Sequence, residues 1–425
     1  MPRTRLALLV SLLVIAAILC TLLPGCKSDS DSSTGPGGTI TVAGKVIGVG
    51  LQPLANSPVV IKGLPPTTTN ASGLFSISGV TVPYDLTVAV SATKLGITYR
   101  GLTRTDPTVI NFLSSGPTTN SASISGTISG GAGYPEPATR TSSVVLSSAE
   151  VSATTSPNSA TGAYSMTANW DGAATITTTI HALQWDKTAA GMPAAYNGYA
   201  SKTGVSVTAG GTFASQNIAL TAVSGQTISG TVTVPAALGL ASKMMSLQFA
   251  PKGAMSLGTE TGAATAFTYV VPMITGTTLS VSALASGATG TSGATDAGVA
   301  PGTNGIAITL LEPSALSLPV NAATGVTTST PFTWTAVPGA IYILLLNGPA
   351  GQPDYLVVTS ATTTTIPDLT DLGLGLPAGQ SYTWNVITFG PFTSLDAASG
   401  QTGFILQNAD FSQTTSASRS FTTAP

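Results

Sequence analysis

Beyond its first two dozen residues the chain alternates apolar and polar positions in short runs. Val59-Val60-Ile61, Phe75-Ser76-Ile77 and Leu86-Thr87-Val88-Ala89-Val90 are typical, each bounded by Gly, Pro, Asn or Ser. A period of two between turn residues is the pattern of a strand with one buried face. No longer stretch keeps the i, i+3, i+4, i+7 spacing of an amphipathic helix. The fold class predicted is all-β, a series of tandem antiparallel β-sandwich domains.

The pattern also repeats. Val42-Ala43-Gly44-Lys45-Val46, Ile124-Ser125-Gly126-Thr127-Ile128 and Ile228-Ser229-Gly230-Thr231-Val232 open three segments alike. Downstream of each a second cue returns: Asn70-Ala71-Ser72-Gly73-Leu74-Phe75, Ser159-Ala160-Thr161-Gly162-Ala163-Tyr164, and Glu260-Thr261-Gly262 with Phe267 and Tyr269 following. Two features recurring in the same order at similar separations indicate related modules. The expected domains are 39–116, 119–223, 224–311 and a last one at 312–425, arranged as beads in series, each held by its own core.

The N-terminus departs from this pattern. Arg3 and Arg5 precede an apolar run over residues 6–23, as in a secretory signal. Leu23-Pro24-Gly25-Cys26 resembles the lipobox of bacterial lipoproteins. That resemblance implies a signal peptide at 1–25, cleavage after Gly25 and lipid on the sulfur of Cys26; the alternative is an uncleaved membrane helix. Each buried acyl methylene contributes ~0.8 kcal/mol, so a multiply acylated cysteine suffices as an anchor. Residues 26–38, rich in Ser, Asp and Gly, read as a flexible tether. The resemblance to lipoproteins further implies, from Lys27 after the cysteine, the outer membrane, on its periplasmic or cell-surface face.

Composition narrows the chemistry. Only 7% of residues are charged, against roughly 25% in an ordinary domain. The 14 basic and 16 acidic side chains are scattered, which disfavours nucleic acid as a partner. With one histidine and two cysteines, neither metal nor cofactor is expected. Cys20 would leave with the signal, so no disulfide is expected either. His181 lies in an alternating run and reads as a sandwich-surface or edge histidine. A hydrolase would need Asp171 or Asp186 and a serine to converge on it, and no G-x-S-x-G elbow is present. The chain reads as non-enzymatic.

Two further resemblances bear on the modules. Gly44-x-Val46, Pro53-Leu54, Ser57-Pro58-Val59-Val60-Ile61, residues 69–75 and Pro83-Tyr84-Asp85-Leu86-Thr87-Val88 resemble the carboxypeptidase regulatory-like domain, which implies a non-catalytic transthyretin-like sandwich. Pro331-Phe332-Thr333-Trp334, Ile341-Tyr342-Ile343-Leu344, residues 376–386 and Ser420-Phe421-Thr422-Thr423 resemble a fibronectin type III domain. That likeness implies Trp334 in the core and a tyrosine corner at Tyr382, spaced six residues from Leu376.

The richest stretch for binding runs from Trp185 and Asp186 to Tyr196, Asn197 and Tyr199, in the longest insertion of the second module. Read as a loop, its three rings would stack sugars while Asp186 and Asn197 supply hydrogen bonds; the alternative is that the same rings close the end of the sandwich or form a hairpin. The expected function is a membrane-anchored surface or periplasmic lipoprotein acting as a spacer, adhesion and binding protein. The alternative is a polysaccharide-binding accessory protein, and the expected partners are the membrane and a surface polysaccharide or protein.

Overall fold

The computed structural model describes residues 38–48, 51–90, 93–112, 118–401, 403–404 and 409–425. The signal segment, Cys26 and the tether up to residue 37 lie outside the described residues. The protein is all-β, and the first three repeats share one topology.

In the first, β1 (Ile40–Gly48) lies between β4 (Leu74–Val80), antiparallel, and β7 (Thr108–Asn111), parallel. Facing it, β2 (Pro58–Ile61), β5 (Tyr84–Val90) and β6 (Leu95–Leu102) follow in order, with β3 (Thr67–Thr68) on the edge of β2. The second repeats this plan. There, β8 (Asn120–Gly130) lies between β11 (Ala163–Trp170) and the parallel pieces β14 (Thr212–Phe213) and β15 (Ile218–Leu220). Opposite run β10 (Ser152–Thr155), β9 (Arg140–Ser147), β12 (Thr175–Lys187) and β13 (Pro193–Thr208). In the third, β16 (Gly225–Thr233) lies between β19 (Ala266–Pro272) and β22 (Ile306–Thr309). Its partner sheet is β18 (Ala254–Thr261), β17 (Gly239–Phe249), β20 (Thr277–Gly287) and β21 (Gly290–Val299).

The two recurring sequence features turn out to be one device. Gly44 pairs with Phe75, Gly126 with Tyr164 and Gly230 with Phe267, directly across the first antiparallel ladder of each repeat. A Cβ on Gly44 would sit 2.5 Å from the Phe75 ring, on Gly126 3.0 Å from Tyr164, and on Gly230 2.6 Å from Phe267. The aromatic ring lies over the glycine, and a carbonyl of the parallel strand approaches it from beside: Pro107, Gln216 and Ile306 respectively. The flanking Val42 and Val46, Ile124 and Ile128, Ile228 and Val232 are all buried. The turn before the ring is also shared by the first two repeats. Gly73 and Gly162 both carry positive φ, and Asn70 and Asn158 accept backbone N–H bonds through their side chains.

The last segment is built on β26 (Ile341–Asn347), β27 (Asp354–Thr359) and β29 (Ser381–Gly390), faced by β23 (Leu316–Leu318), β25 (Phe332–Trp334) and β28 (Thr363–Thr364). Trp334 is buried as expected, beside Phe332 and Trp384 in one core. Tyr382 departs from the expected corner in the bond it makes: its hydroxyl donates to the carbonyl of Pro353 at 3.0 Å, just before β27.

Beads in series is not the arrangement found. β27 pairs in parallel with β6, from Asp354 opposite Leu95 to Val358 opposite Tyr99. On the other side β30 (Phe411–Ser416) pairs with both β29 and β21. One sheet therefore runs through the third, fourth and first modules, with the C-terminal segment in the middle. Pairing removes edges that would otherwise carry unbonded N–H and C=O groups. The cores merge as well. Ile341, Ile343, Leu345, Leu356 and Val358 join the first module's core, while Tyr342, Leu344, Leu346, Tyr355 and Val357 face the fourth module's own. This strand pair is apolar on both faces because both faces are covered.

Candidate functional site

The predicted site residues do converge, but on a seam. Trp185 lies near the end of β12 and Tyr196, Asn197 and Tyr199 near the start of β13, so the expected loop is a continuous hairpin with only residues 188–192 turning between its strands. Trp185 stands opposite Tyr196 and Leu183 opposite Tyr199, and a register shift between Gln184 and Trp185 accommodates Asn197.

On β12 the face that includes Ile176, Ile180 and Ala182 fills the second module's own core. The other face, with Leu183 and Trp185, joins the core of the third module together with Val145 and Met192. Trp185 is 4% exposed, among Met245, Leu247, Phe249, Met255 and Leu257. The Tyr196 hydroxyl donates to the carbonyl of Val270 at 3.0 Å, crossing from one module to the other, and burial pushes its ionisation well above the ordinary tyrosine range. Close approach is permitted where side chains are missing: Gly253 sits against Val145 and Ser147, and Gly258 against Gly191 and Met192.

This placement corrects the sugar-stacking expectation. A ring stacks on a sugar only if one face is free, and Trp185 has none. Asp186 is paired with Arg140 at 2.8 Å, and Arg140 also donates to the carbonyl of Ala132. The amide nitrogen of Asn197 is buried without a hydrogen-bond partner among the described residues. The structure buries every position of Ile180-His181-Ala182-Leu183-Gln184-Trp185, as in a strand covered on both faces, although His181 and Gln184 interrupt the apolar run in sequence.

His181, on the same strand, is neither a surface nor an edge histidine: β12 is paired on both sides and the ring is buried in the seam. Its Nδ1 lies 2.9 Å from the Tyr199 hydroxyl, and its ring stacks on Phe249 of the third module at 4.1 Å and 23°. Burial alone pulls its pKa down to about 4. Among the described residues no carboxylate is bonded to it, and those residues do not assemble around this ring the arrangement a serine hydrolase requires. Among the described residues no three His, Cys, Asp or Glu side chains gather as a metal site, and no helix is long and apolar enough to cross a membrane.

Other polar side chains were missed by sequence reasoning, one cluster inside the third module and the rest at the remaining joints. Within the third module Lys243, 1% exposed, is 3.2 Å from Glu260 and donates to the carbonyls of Ala264 and Ala266, while Tyr269 donates to Glu260 at 2.6 Å. Asp396, in the single-turn helix α1 (Leu395–Ala398) of the fourth module, accepts from the Thr103 and Arg104 backbone and from the Thr103 hydroxyl of the first. Lys94 donates to the carbonyl of Gly351, and Arg100 to the hydroxyl of Thr365. These are single scattered charges in sequence, and only long-range pairing gives them a purpose.

No protein family matches the chain, and no curated protein matches it in sequence. Among solved structures, the Bacillus anthracis TIE protein is similar over 64% of this chain and 50% of its own, at 7% identity and a TM-score of 0.16. BcpA, the major pilin subunit of Bacillus cereus, is similar over 60% of this chain and 89% of its own, at 10% identity and a TM-score of 0.14. The pilus adhesin SpaC from Lactobacillus rhamnosus GG gives 78% and 44%, at 10% identity and a TM-score of 0.13. The chain spans about half the length of the first of these. Superpositions this loose say nothing of what the present chain does.

Proposed function

We propose that the chain is a non-enzymatic, lipid-anchored surface protein of the adhesion type, a β plate that presents binding faces. The observation that carries this reading is where the reactive side chains stand. His181, Trp185, Tyr196, Asp396, Arg100 and Lys94 all hold one module to another. The result is a plate built from three modules sharing a sheet, with the second packed against the third. A plate suits adhesion because its faces keep their relative positions under load. The repeated strand order supports reading the first three modules as transthyretin-like, and Cys26 remains the residue proposed to carry lipid at the outer membrane.

Two experiments test the proposal. The mature chain is assayed against whole cells, cell-wall polysaccharide and a glycan array; saturable binding to a surface component supports adhesion, and no binding to any of them removes it. The full chain is separately labelled in cells with an alkynyl fatty acid. Label and membrane partition are expected to be lost in Cys26→Ala, and a variant that keeps both refutes the anchor.

A further inference from the structure

We propose that the seam between the second and third modules is an acid-sensitive joint, which opens when His181 takes up a proton while the two sandwiches stay folded.

Among the described residues the imidazole has one hydrogen-bond partner: its Nδ1 lies 2.9 Å from the Tyr199 hydroxyl, while Nε2 is buried without one. Whichever tautomer the neutral ring adopts, the imidazolium carries N–H on both nitrogens, so Nδ1–H must donate to the Tyr199 oxygen and Nε2–H is left buried with no acceptor. The new charge would also lie in a site 9% exposed, flat against the Phe249 ring. An aromatic face attracts a cation, but far less than the water removed from it.

Among the described residues no charge is bonded to the ring to offset its own. The chargeable groups on the packed elements are Arg140 on β9, Asp186 and Lys187 on β12, Tyr196, Tyr199 and Lys202 on β13, Lys243 on β17, Glu260 on β18, Tyr269 on β19, and Glu150 and Lys252 in the adjoining turns. Arg140 pairs with Asp186, Lys243 with Glu260, and Lys252 donates to the Glu150 carbonyl. Burial is the only cause of the lowered His181 pKa, with no contribution from any of these groups. The elements that would separate carry their own cores: Ile124, Ile128, Met166 and Trp170 remain within the second sandwich whether or not the seam is closed.

The sign follows from linkage. An open seam returns His181 to an ordinary value near 6.5, while closure holds it at about 4. Protons thus favour opening as pH falls below 6.5, by roughly 25-fold in the opening constant between pH 7.5 and pH 5.

The full chain is exposed to dilute hydrogen peroxide at both pH values, and methionine oxidation is read by mass spectrometry. Met192 lies in the seam, and Met166 in the second module's own core. Oxidation of Met192 is expected to rise roughly 25-fold at pH 5 while Met166 stays protected, and His181→Gln is expected to abolish the pH dependence. An unchanged Met192 rate in the native chain, or an equal rise in His181→Gln, overturns the proposal, as does Met166 rising in step. Should His181→Gln fail to fold, the single imidazole of the native chain is titrated by NMR. A pKa below about 5.5 supports the joint, and one at or above that in the closed protein refutes it.

Discussion

The molecule joins its modules in two ways. The fourth is bonded to the first and third through backbone ladders, β27 to β6 and β30 to β21. The second is held to the third mainly through side chains: Trp185, Leu183, Met192 and His181 against Phe249 and its neighbours, with Tyr196 bonding across. A ladder makes the same bonds whatever the side chains are, so it tolerates substitution on either face but fails if the strands separate. A side-chain seam depends on a few rings, so single residues and pH can loosen it. The plate through the third, fourth and first modules should therefore unfold as one, and the second should detach first.

The largest test of that contrast is Trp384→Ala. The ring is fully buried and meets Phe332 edge-to-face at 5.0 Å. Its loss should cost ~3–5 kcal/mol. Because β29 belongs to the shared sheet, the first and fourth modules should melt together in a denaturant titration followed by hydrogen exchange. Two well-separated transitions would show that the ladder joins bodies without coupling them. Trp185→Ala should do the opposite at about 3 kcal/mol, the low end for a buried ring because a seam can partly collapse. Peroxide should then reach Met192 at neutral pH while both sandwiches keep their far-UV signal.

Gly126→Ala comes next, at up to ~3 kcal/mol of overpacking. Its added methyl meets Tyr164 and the Gln216 carbonyl, both in the second module, so the plate should be unaffected in the same titration. A substitution here that also destabilised the fourth module would mean that the seam transmits strain.

How much of this was legible in the sequence depends on the range of the interaction. The Gly126 and Tyr164 pairing left a local trace because a bare glycine and an aromatic must both be present at fixed separation for the ring to fit. The strands were equally visible, since Tyr164, Met166, Ala168 and Trp170 are buried in strict alternation along β11. The shared sheet left almost none. Pairing of Leu95 with Asp354 is a backbone event, and backbone bonding imposes no residue type. Its one side-chain trace is the run Ile341–Leu346, apolar at every position because neither face meets water. The 185–199 stretch admits two readings in sequence because aromatics among Gly and Asn look alike in a binding loop and in a packed hairpin; burial at every position from Ile180 to Trp185, which only the structure supplies, distinguishes them.

Acidification gives a smaller effect than these substitutions and falls on the seam alone. The His181 value drops from 6.5 to about 4 on closure, so the seam is fully stabilised above pH 6.5. It weakens as pH falls, by about 2 kcal/mol at pH 5, and the loss levels off below pH 4. Sedimentation velocity at pH 7.5 and 5 should show a more extended particle at the lower pH, and no change in His181→Gln.

The smallest expected effect tests whether charge has any part in the seam. Asp186 follows Trp185 on β12 and meets Arg140 at 2.8 Å, with their side chains 33% and 18% exposed. A partly exposed pair of this kind contributes at most ~1 kcal/mol and is screened by salt. Asp186→Asn keeps the shape, removes the charge and leaves Arg140 its bond to the Ala132 carbonyl. Met192 oxidation should hardly respond, and raising the salt concentration should not open the native seam. If either treatment exposed Met192 as fully as Trp185→Ala does, the joint would be held by its ion pair rather than by its rings. A joint of that kind would respond to salt before pH, and the buried imidazole would lose its place as the sensitive element.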